Sequence, residues 1–355
     1  MVTSEHDESA PSNTEGRFVT LRDIARMAEV SISTVSRALA GTGLVNKRTE
    51  SRVLRIADEM GYRPNALARS LATRSSRLVG LMVNNMVNAS FQRLAEISQA
   101  RFAAAGYQML LCITGDDPGQ EAAYLSTLFD HRIEGLLVLP TGANSDLIER
   151  FIAANSAVVG LVRSHGHENY DSVLFDDAFG AYDGTRQLLE LGHRRIGIVV
   201  GRQDTNSGRE RLAGYKRALT ERGIAIRPEY VHSGPFRPEF GISATEAIMS
   251  LPEPPTALFS ANHEASLGVI GQLATKGIVI PDQLSLLCYE DVPWFSWQKP
   301  AISVVDADAE ALATLAVDLL LQRIATGAGS RTGRVLRVGA RIIMRDSCTP
   351  VSPIG

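Results

Sequence analysis

The 355-residue chain carries 36 Lys and Arg against 39 Asp and Glu, a formal net charge of −3, with 45% apolar and 21% charged residues. This is ordinary globular composition, which excludes a disordered or fibrous chain, and the length allows two or three domains of roughly 100–200 residues each. The longest apolar runs, such as 136–140 and 196–200, hold about five residues, whereas a membrane-spanning helix needs about 20.

Residues 1–17 are rich in Ser, Asn, Glu, Gly and Pro and read as a disordered arm. With no basic n-region and no apolar h-region, this start is not expected to be a secretory signal. Charge is distributed unevenly behind it. Residues 1–16 carry −4, residues 17–77 hold twelve basic against five acidic residues and carry +7, and the remainder carries −6. A small basic segment on a larger acidic body suggests a polyanion-binding module, although a solvated charged face gives the same count.

Three short helices are expected within a headpiece over 18–63. Thr20-Leu21-Arg22-Asp23 has the form of a capping box with Asp in the place of Glu, and Leu21, Ile24, Ala25 and Ala28 follow at helical spacing. Ser31-Ile32-Ser33 offers a second N-cap. Val35, Ala38 and Leu39 then form an apolar stripe that ends at Gly41 and Gly43. The third helix, about 47–60, turns Val53, Ile56, Ala57 and Met60 to one face and stops at Gly61. Pro64 opens a basic hinge or linker over 64–76.

From Leu78 the rhythm changes. Short apolar runs at 78–83, 108–113, 135–139, 158–161, 196–200, 257–260, 285–288 and 302–305 alternate with amphipathic segments at 91–105, 120–130, 178–191, 208–222, 264–276 and 310–324. Strand–helix alternation predicts parallel sheets covered on both faces. The fold class is therefore α/β: an N-terminal all-α helix-turn-helix headpiece followed by two doubly wound parallel-sheet subdomains. Residues 77–346 form that core, divided approximately into 77–175 plus 305–333 and 176–304 plus 334–346, with a tail over 347–355. The cleft between the subdomains is the natural ligand site, because such sheets bind at strand carboxyl ends.

The spacing of Ile24, Ala25, Ala28, Val30, Ser31, Thr34, Val35, Ser36 and Arg37 has helix-turn-helix logic. Small Ala25 permits close helix approach, Val30 plugs the turn and Val35 anchors the second helix. Ile32, Ser33, Thr34, Ser36 and Arg37 are left on the end or face that enters a major groove. Arg37 suits bidentate reading of guanine, and the hydroxyls suit phosphates or base edges. An ordinary helical hairpin fits the apolar spacing as well.

Residues 18–72 resemble the DNA-binding headpiece of the lac repressor family of bacterial transcription factors. The resemblance runs through Val19 to Ala25, Val30-Ser31, Thr34 to Leu39, Thr49, Val53, Gly61-Tyr62, Pro64-Asn65, Ala68 and Ser70-Leu71. It implies Ile32, Ser33 and Arg37 as base readers and Thr20, Ser31, Thr34 and Asn65 as mainly phosphate contacts. It also implies a hinge helix over 65–71, carrying Ala68 and wedging Leu71 into the minor groove of double-stranded operator DNA. An exposed apolar wedge of this kind offsets unstacking by bending DNA around more protein surface. Glu29 stands where the family often has Gly, and Ala40 where Asn is common.

Residues 77–346 resemble the same family, whose core is similar to periplasmic sugar-binding proteins. Val79-Gly80-Leu81, Asn88 with Phe91, Leu191 to Ile196, Arg211 to Tyr215, Ala261-Asn262 and Tyr289 to Pro293 carry this likeness. By position, Phe91 and Trp294 are candidates to stack on a ring. Arg163, Arg211, Asn262, Glu290 and Asp291 are candidates to bond the hydroxyls or charged substituent of a small-molecule effector. Trp294 is also readable as a core or interface aromatic and Arg211 as a structural ion pair. Val162 and His263 stand where the family often has acids, so the cleft is expected to be less acidic and the effector anionic or less hydroxylated than a simple sugar.

Other chemistries find little footing. There is no GxxxxGK[ST], HExxH or GxSxG. His165 and His167 form an isolated HxH, and Asp306, Asp308 and Glu310 read as a strand end and helix cap, so no metal and no cofactor are expected. Cys112, Cys288 and Cys348 are widely separated, consistent with a reduced, cytoplasmic compartment. The expectation is a non-enzymatic, homodimeric or higher-order operator-binding regulator, most simply a repressor, that works away from membranes. A solute-binding transport component would share the body but have no use for residues 18–73. An enzyme would need an acid–base or nucleophile constellation.

Overall fold

The computed structural model describes residues 19–41, 44–62, 75–164, 169–327 and 333–351. The expected arm over 1–17, the hinge residues Asn65, Ala68 and Leu71, the pair His165 and His167, and the tail from 352 lie outside the described residues. The chain divides into two compact units, 1–75 and 76–355.

The first unit holds α1 (Leu21–Met27), α2 (Ile32–Ala40) and α3 (Lys47–Glu59). The capping box forms as the sequence requires. The Thr20 side chain accepts from the Asp23 amide, and the Asp23 carboxylate accepts from the Thr20 amide at 2.9 Å. Ser31 caps α2 by accepting from the Thr34 amide at 3.1 Å, and Gly41, at φ 64°, ends it in the left-handed conformation. Asn46 starts α3 through the Arg48 amide at 2.9 Å. The helical stripes meet in one small core of Ile24, Ala25, Ala28, Val35, Ala38, Val53, Ile56 and Ala57, with Val30 packed against it from the turn. Glu29 takes φ 52°, the conformation for which Gly would serve best.

The second unit begins β1 (Leu78–Val83), α4 (Ala89–Ala104), β2 (Gln108–Ile113), α5 (Pro118–Asp130), β3 (Gly135–Val138), α6 (Ser145–Ala153), β4 (Ala157–Leu161) and β5 (Asp171–Phe175). It continues α7 (Asp177–Glu190), β6 (Ile196–Val200), α8 (Asn206–Glu221), β7 (Val231–Ser233), α9 (Pro238–Met249), β8 (Ala257–Ala261) and α10 (His263–Thr275). Last come β9 (Ser285–Tyr289), α11 (Pro293–Trp297), β10 (Ser303–Ala307), α12 (Ala309–Thr326), β11 (Val335–Val338) and β12 (Ala340–Ile343).

These strands form two six-stranded sheets, ordered β11-β5-β4-β3-β1-β2 and β12-β10-β9-β8-β6-β7. All pairings are parallel except β12 with β10. Successive side chains of a strand point to opposite faces, and both faces are covered, so the strands read as continuous apolar runs. In β1, Val79, Leu81 and Val83 pack with Phe91, Leu94 and Phe102 of α4, while Met82 faces Leu125 and Leu128 of α5. On the second sheet α7 and α8 cross closely at Gly214. A Cβ there would lie 2.3 Å from the Ala178 carbonyl oxygen and 2.7 Å from the Tyr182 amide, so no side chain fits.

The expected doubly wound architecture is present, with two changes to its boundaries. Residues 305–307 end β10 of the second sheet rather than opening a return to the first. Residues 335–338 form β11 of the first sheet, and only after Gly339 does β12 join the second. The two short terminal strands therefore split between lobes, and one residue separates them.

Candidate functional site

On the first unit, the stripe that buries Val35 and Ala38 turns Ser31, Ile32, Ser33, Ser36 and Arg37 outward. Ile32 is 45% exposed, an uncommon position for a β-branched apolar side chain on a small polar surface. The Ser31 hydroxyl lies 2.8 Å from both the Ser33 and Thr34 hydroxyls, which gathers three hydroxyls at the start of α2. No acid occupies the first turn of that helix, so its positive end remains available to a phosphate. Thr20 is exposed at the corresponding end of α1.

In the second unit, a cleft lies between the lobes. Its wall is assembled from residues just past strand carboxyl ends. Asn84 follows β1, Leu139 follows β3, Val162 and Arg163 follow β4, Asn262 follows β8 and Glu290 follows β9. Parallel sheets put their ligand sites at these ends, and both sheets contribute here. Asn88 and Phe91 add the start of α4, Ser207 and Arg211 come from α8, Glu264 from α10, and Phe236 from the loop before α9.

Two strained residues aim the wall. Val162 has φ 61°, unusual for a β-branched residue, and the Arg163 amide donates to the Leu161 carbonyl. This is a three-residue turn that swings Arg163 off the strand direction. Glu290 has φ 70° while its amide still donates to the Val305 carbonyl at 2.7 Å. Such strain clusters where surrounding structure holds a functional group in place.

Both cleft arginines are already matched by acids. Arg211, buried, donates through Nε to Asp177 at 2.8 Å and through Nη1 to the Ala261 carbonyl at 3.0 Å, and lies 3.7 Å over the Tyr289 ring. The Tyr289 hydroxyl donates to the same Asp177 oxygen at 2.9 Å. Burial opposes the charge on Arg211, but Asp177, Tyr289 and Glu290 outweigh it and raise its pKa. Arg163 is paired with Asp116, which also receives Arg202 from the second lobe. The carboxylates of Glu264 and Glu290 have neutral partners instead: Asn85 donates to Glu264 at 2.9 Å and Ser90 to Glu290 at 2.8 Å, each across the lobes.

Five of the expected effector-site residues, Phe91, Arg163, Arg211, Asn262 and Glu290, meet in this wall. Asp291 and Trp294 do not. Asp291 follows Glu290 directly, so its side chain leaves on the other side of the chain, where Arg345 holds it through both terminal nitrogens at 2.9 and 2.7 Å. Trp294 packs on Phe295, with ring centres 4.2 Å apart, and edge-on to His263. The cleft expected to be less acidic for want of acids at Val162 and His263 nevertheless holds Glu264, directly after His263, as well as Glu290. Glu264 supplies an acid that the pattern alone did not place. His263 is itself buried, with neither ring nitrogen bonded.

The triplet Asp306, Asp308 and Glu310 is structural. Asp308 caps α12 through the Ala311 amide at 2.9 Å, Asp306 pairs with Arg341 and Glu310 with Arg93. Among the described residues no group of three or more His, Cys, Asp or Glu is placed to hold a metal ion, and no helix is long and apolar enough to cross a membrane.

Comparison with known proteins finds two matching families: "Bacterial regulatory proteins, lacI family" over residues 20–65 and "Periplasmic binding protein-like domain" over 185–348. The HTH-type transcriptional repressor PurR of Haemophilus influenzae (strain PittEE) is 32% identical over 308 residues, 86% of this chain and 91% of that protein. A ribose operon repressor of Haemophilus influenzae (strain ATCC 51907) is 32% identical over 307 residues, covering 86% and 92%. Among solved structures, the lac repressor dimer bound to operator and the anti-inducer ONPF superposes with a TM-score of 0.79 at 24% identity, over 94% of this chain and all of that one. The complex of the transcriptional regulator CelR with cellobiose gives a TM-score of 0.69 at 26% identity, over 93% and 99%.

Proposed function

The chain belongs to the lacI family of bacterial regulatory proteins, and from that premise we propose that it is a repressor that binds a pseudo-palindromic operator as a homodimer and is released or recruited by a small molecule in the inter-lobe cleft. The observation that carries this reading is the exposed amino end of α2, where hydroxyls, an outward Ile32 and Arg37 share one helical face. On it, Ile32, Ser33, Ser36 and Arg37 read base edges, and Thr20, Ser31 and Thr34 hold phosphates. Asn65, Ala68 and Leu71 are assigned the hinge contacts, with Leu71 as the minor-groove wedge.

The effector is assigned to Phe91, Arg163, Arg211, Asn262 and Glu290, together with Asn84, Asn88, Phe236 and Glu264. The ribose operon repressor and the cellobiose-bound regulator among the similar proteins support a sugar or sugar derivative as its class. Effector binding changes the angle between lobes and thereby the pairing of the hinge segments. The coupling is reciprocal: a ligand that weakens operator binding is itself bound more weakly by the operator complex. The protein acts by binding and not by catalysis, in the compartment that holds the chromosome.

Selection of bound duplexes from a random library, at two salt concentrations, tests the reading. The expected result is a pseudo-palindrome with a fixed central step that Leu71→Ala loses, and relaxed preference at one position in Arg37→Ala, worth about 1–3 kcal/mol. Salt-sensitive binding with no sequence preference, both alone and with candidate effectors present, would overturn it.

A further inference from the structure

The cleft wall has an unbalanced ledger of charge and hydrogen bonding. Arg211 is neutralised by Asp177, and Arg163 and Arg202 by Asp116 and Asp204. Glu264 and Glu290 line the cleft with only an amide and a hydroxyl as direct partners. The wall therefore presents two carboxylates whose charge no ion pair among the described residues answers.

A third acceptor is in the same wall. Asn84 is only 8% exposed, yet its Oδ1 receives no hydrogen bond. A buried acceptor left without a donor costs about 1–3 kcal/mol. Burial lifts the Glu264 carboxyl above its ordinary pKa against the Asn85 hydrogen bond and the neighbouring His263, and the negative charges of Glu290 and Asp116 act in the same direction as burial. A bound cation would relieve the two carboxylates and a bound anion would oppose them, while any bound hydroxyl or ammonium donor would satisfy Asn84.

We propose that the effector is a compact, hydroxyl-bearing ring that carries a protonated amine, with Glu264 and Glu290 receiving the ammonium group. Phe91 and Phe236 offer apolar faces to the ring, Asn84 accepts a hydroxyl or ammonium proton, and Arg163 and Arg211 serve as hydrogen-bond donors with their charge already matched. Two carboxylates give selection by charge: an amine gains what the matching hydroxyl does not, and a carboxylate on the same scaffold meets repulsion. This inference rests on the assignment of the cleft as the effector site and adds the chemical class of its ligand.

The test uses the full chain on the operator duplex recovered by selection, with operator affinity read by fluorescence anisotropy. The probes are matched triads that differ at one substituent: glucosamine, glucose and glucuronic acid; galactosamine, galactose and galacturonic acid; and mannosamine, mannose and mannuronic acid. The expected result is that an amine member shifts operator affinity at a concentration at least tenfold lower than its hydroxyl counterpart, with the acid inactive. Glu264→Gln should remove that preference, and Glu264→Asp should keep it in part. A shift by an acid or neutral member that Glu264→Gln leaves unaltered would overturn the charge assignment and leave effector control standing. No shift with any of the nine, on an operator that binds normally, would overturn effector control by this class of ligand together with the inference.

Discussion

Arg202 of the second lobe donates to Asp116 of the first across 3.3 Å, and the same carboxylate is the partner of Arg163 within its own lobe. The two arginines share an acid but not an environment, since the Arg163 side chain is 8% exposed and that of Arg202 45%. An exposed pair is screened and worth about 0–1 kcal/mol, so Arg202→Ala should change effector affinity no more than a few-fold, with the difference gone at high salt. Arg163→Ala removes a buried donor from the cleft wall and leaves Asp116 poorly matched, at a cost of about 2–3 kcal/mol or roughly 100-fold in effector affinity. Titrating effector-dependent operator binding in both variants at two salt concentrations separates these outcomes. Equal losses would mean that the lobes are held chiefly by the exposed bridge.

How far the sequence reached depends on what each segment had to bury. The central strands β1, β3, β6, β8 and β9 are covered on both faces, so their apolar runs stood out and their ends were placed within one or two residues. The edge strands β11 and β12 are short and half-exposed, with burial alternating along β11, and no run marks them. Helix α9 begins at Pro238 beside a second Pro and a Gly, which read as loop. The site shows the same division. Arg163 and Glu290 could be picked out because each directly follows a strong strand, whereas Arg211, inside α8, stood out only through the family resemblance. Glu264 could not, because an acid in the first turn of a helix needs no explanation beyond the helix dipole. Phe236 sits alone in a Gly-Pro loop, and no periodicity assigns it a face.

The DNA-reading unit has a core of its own, distinct from those of the effector unit. Ile24 is fully buried there among eight buried apolar side chains of the described residues. Ile24→Ala should cost about 2–5 kcal/mol, a large share of what so small a unit possesses. Operator binding should fall at least tenfold at 37 °C, while the calorimetric transition of the effector unit keeps its midpoint within about 1 °C. A matching drop in both transitions would show that the two units unfold together.

His193 ties the chain end to the second sheet. Its Nδ1 lies 2.9 Å from the Thr256 hydroxyl, and its Nε2 lies 3.1 Å from both the Ser285 hydroxyl and the Thr349 carbonyl. Burial depresses its pKa below the ordinary value of about 6.5, against an opposing pull from the Thr349 carbonyl. A depressed folded pKa means that the unfolded chain takes up the proton first. The stability this residue contributes is therefore present above about pH 6.5 and is lost as pH falls toward the folded value. Denaturant midpoints measured from pH 7.5 to pH 5.5 should fall, and His193→Gln should flatten that slope. An equally steep fall in the variant would place the titration elsewhere.

The three cysteines allow a different probe of the same body. None is paired in a disulfide, and all are buried. Burial pushes the Cys288 thiol up to about 12 and that of Cys348 up to about 11, and it raises Cys112 as well. Thiolate is the reactive form, so at pH 8 only about one Cys288 in ten thousand would carry it even if a reagent could reach it. Cys112 lies on β2, the edge strand of the first sheet, where Leu111 and Ile113 on either side are more than 40% exposed. Local opening of an edge costs less than opening a sheet centre. Labelling of the native chain with a disulfide reagent at pH 8 should therefore modify Cys112 first. Cys288 and Cys348 should follow only at the rate of global unfolding, together and accelerated in parallel by denaturant. Rapid stoichiometric labelling of Cys288 in the native protein would mean that the second sheet opens far more readily than its packing implies.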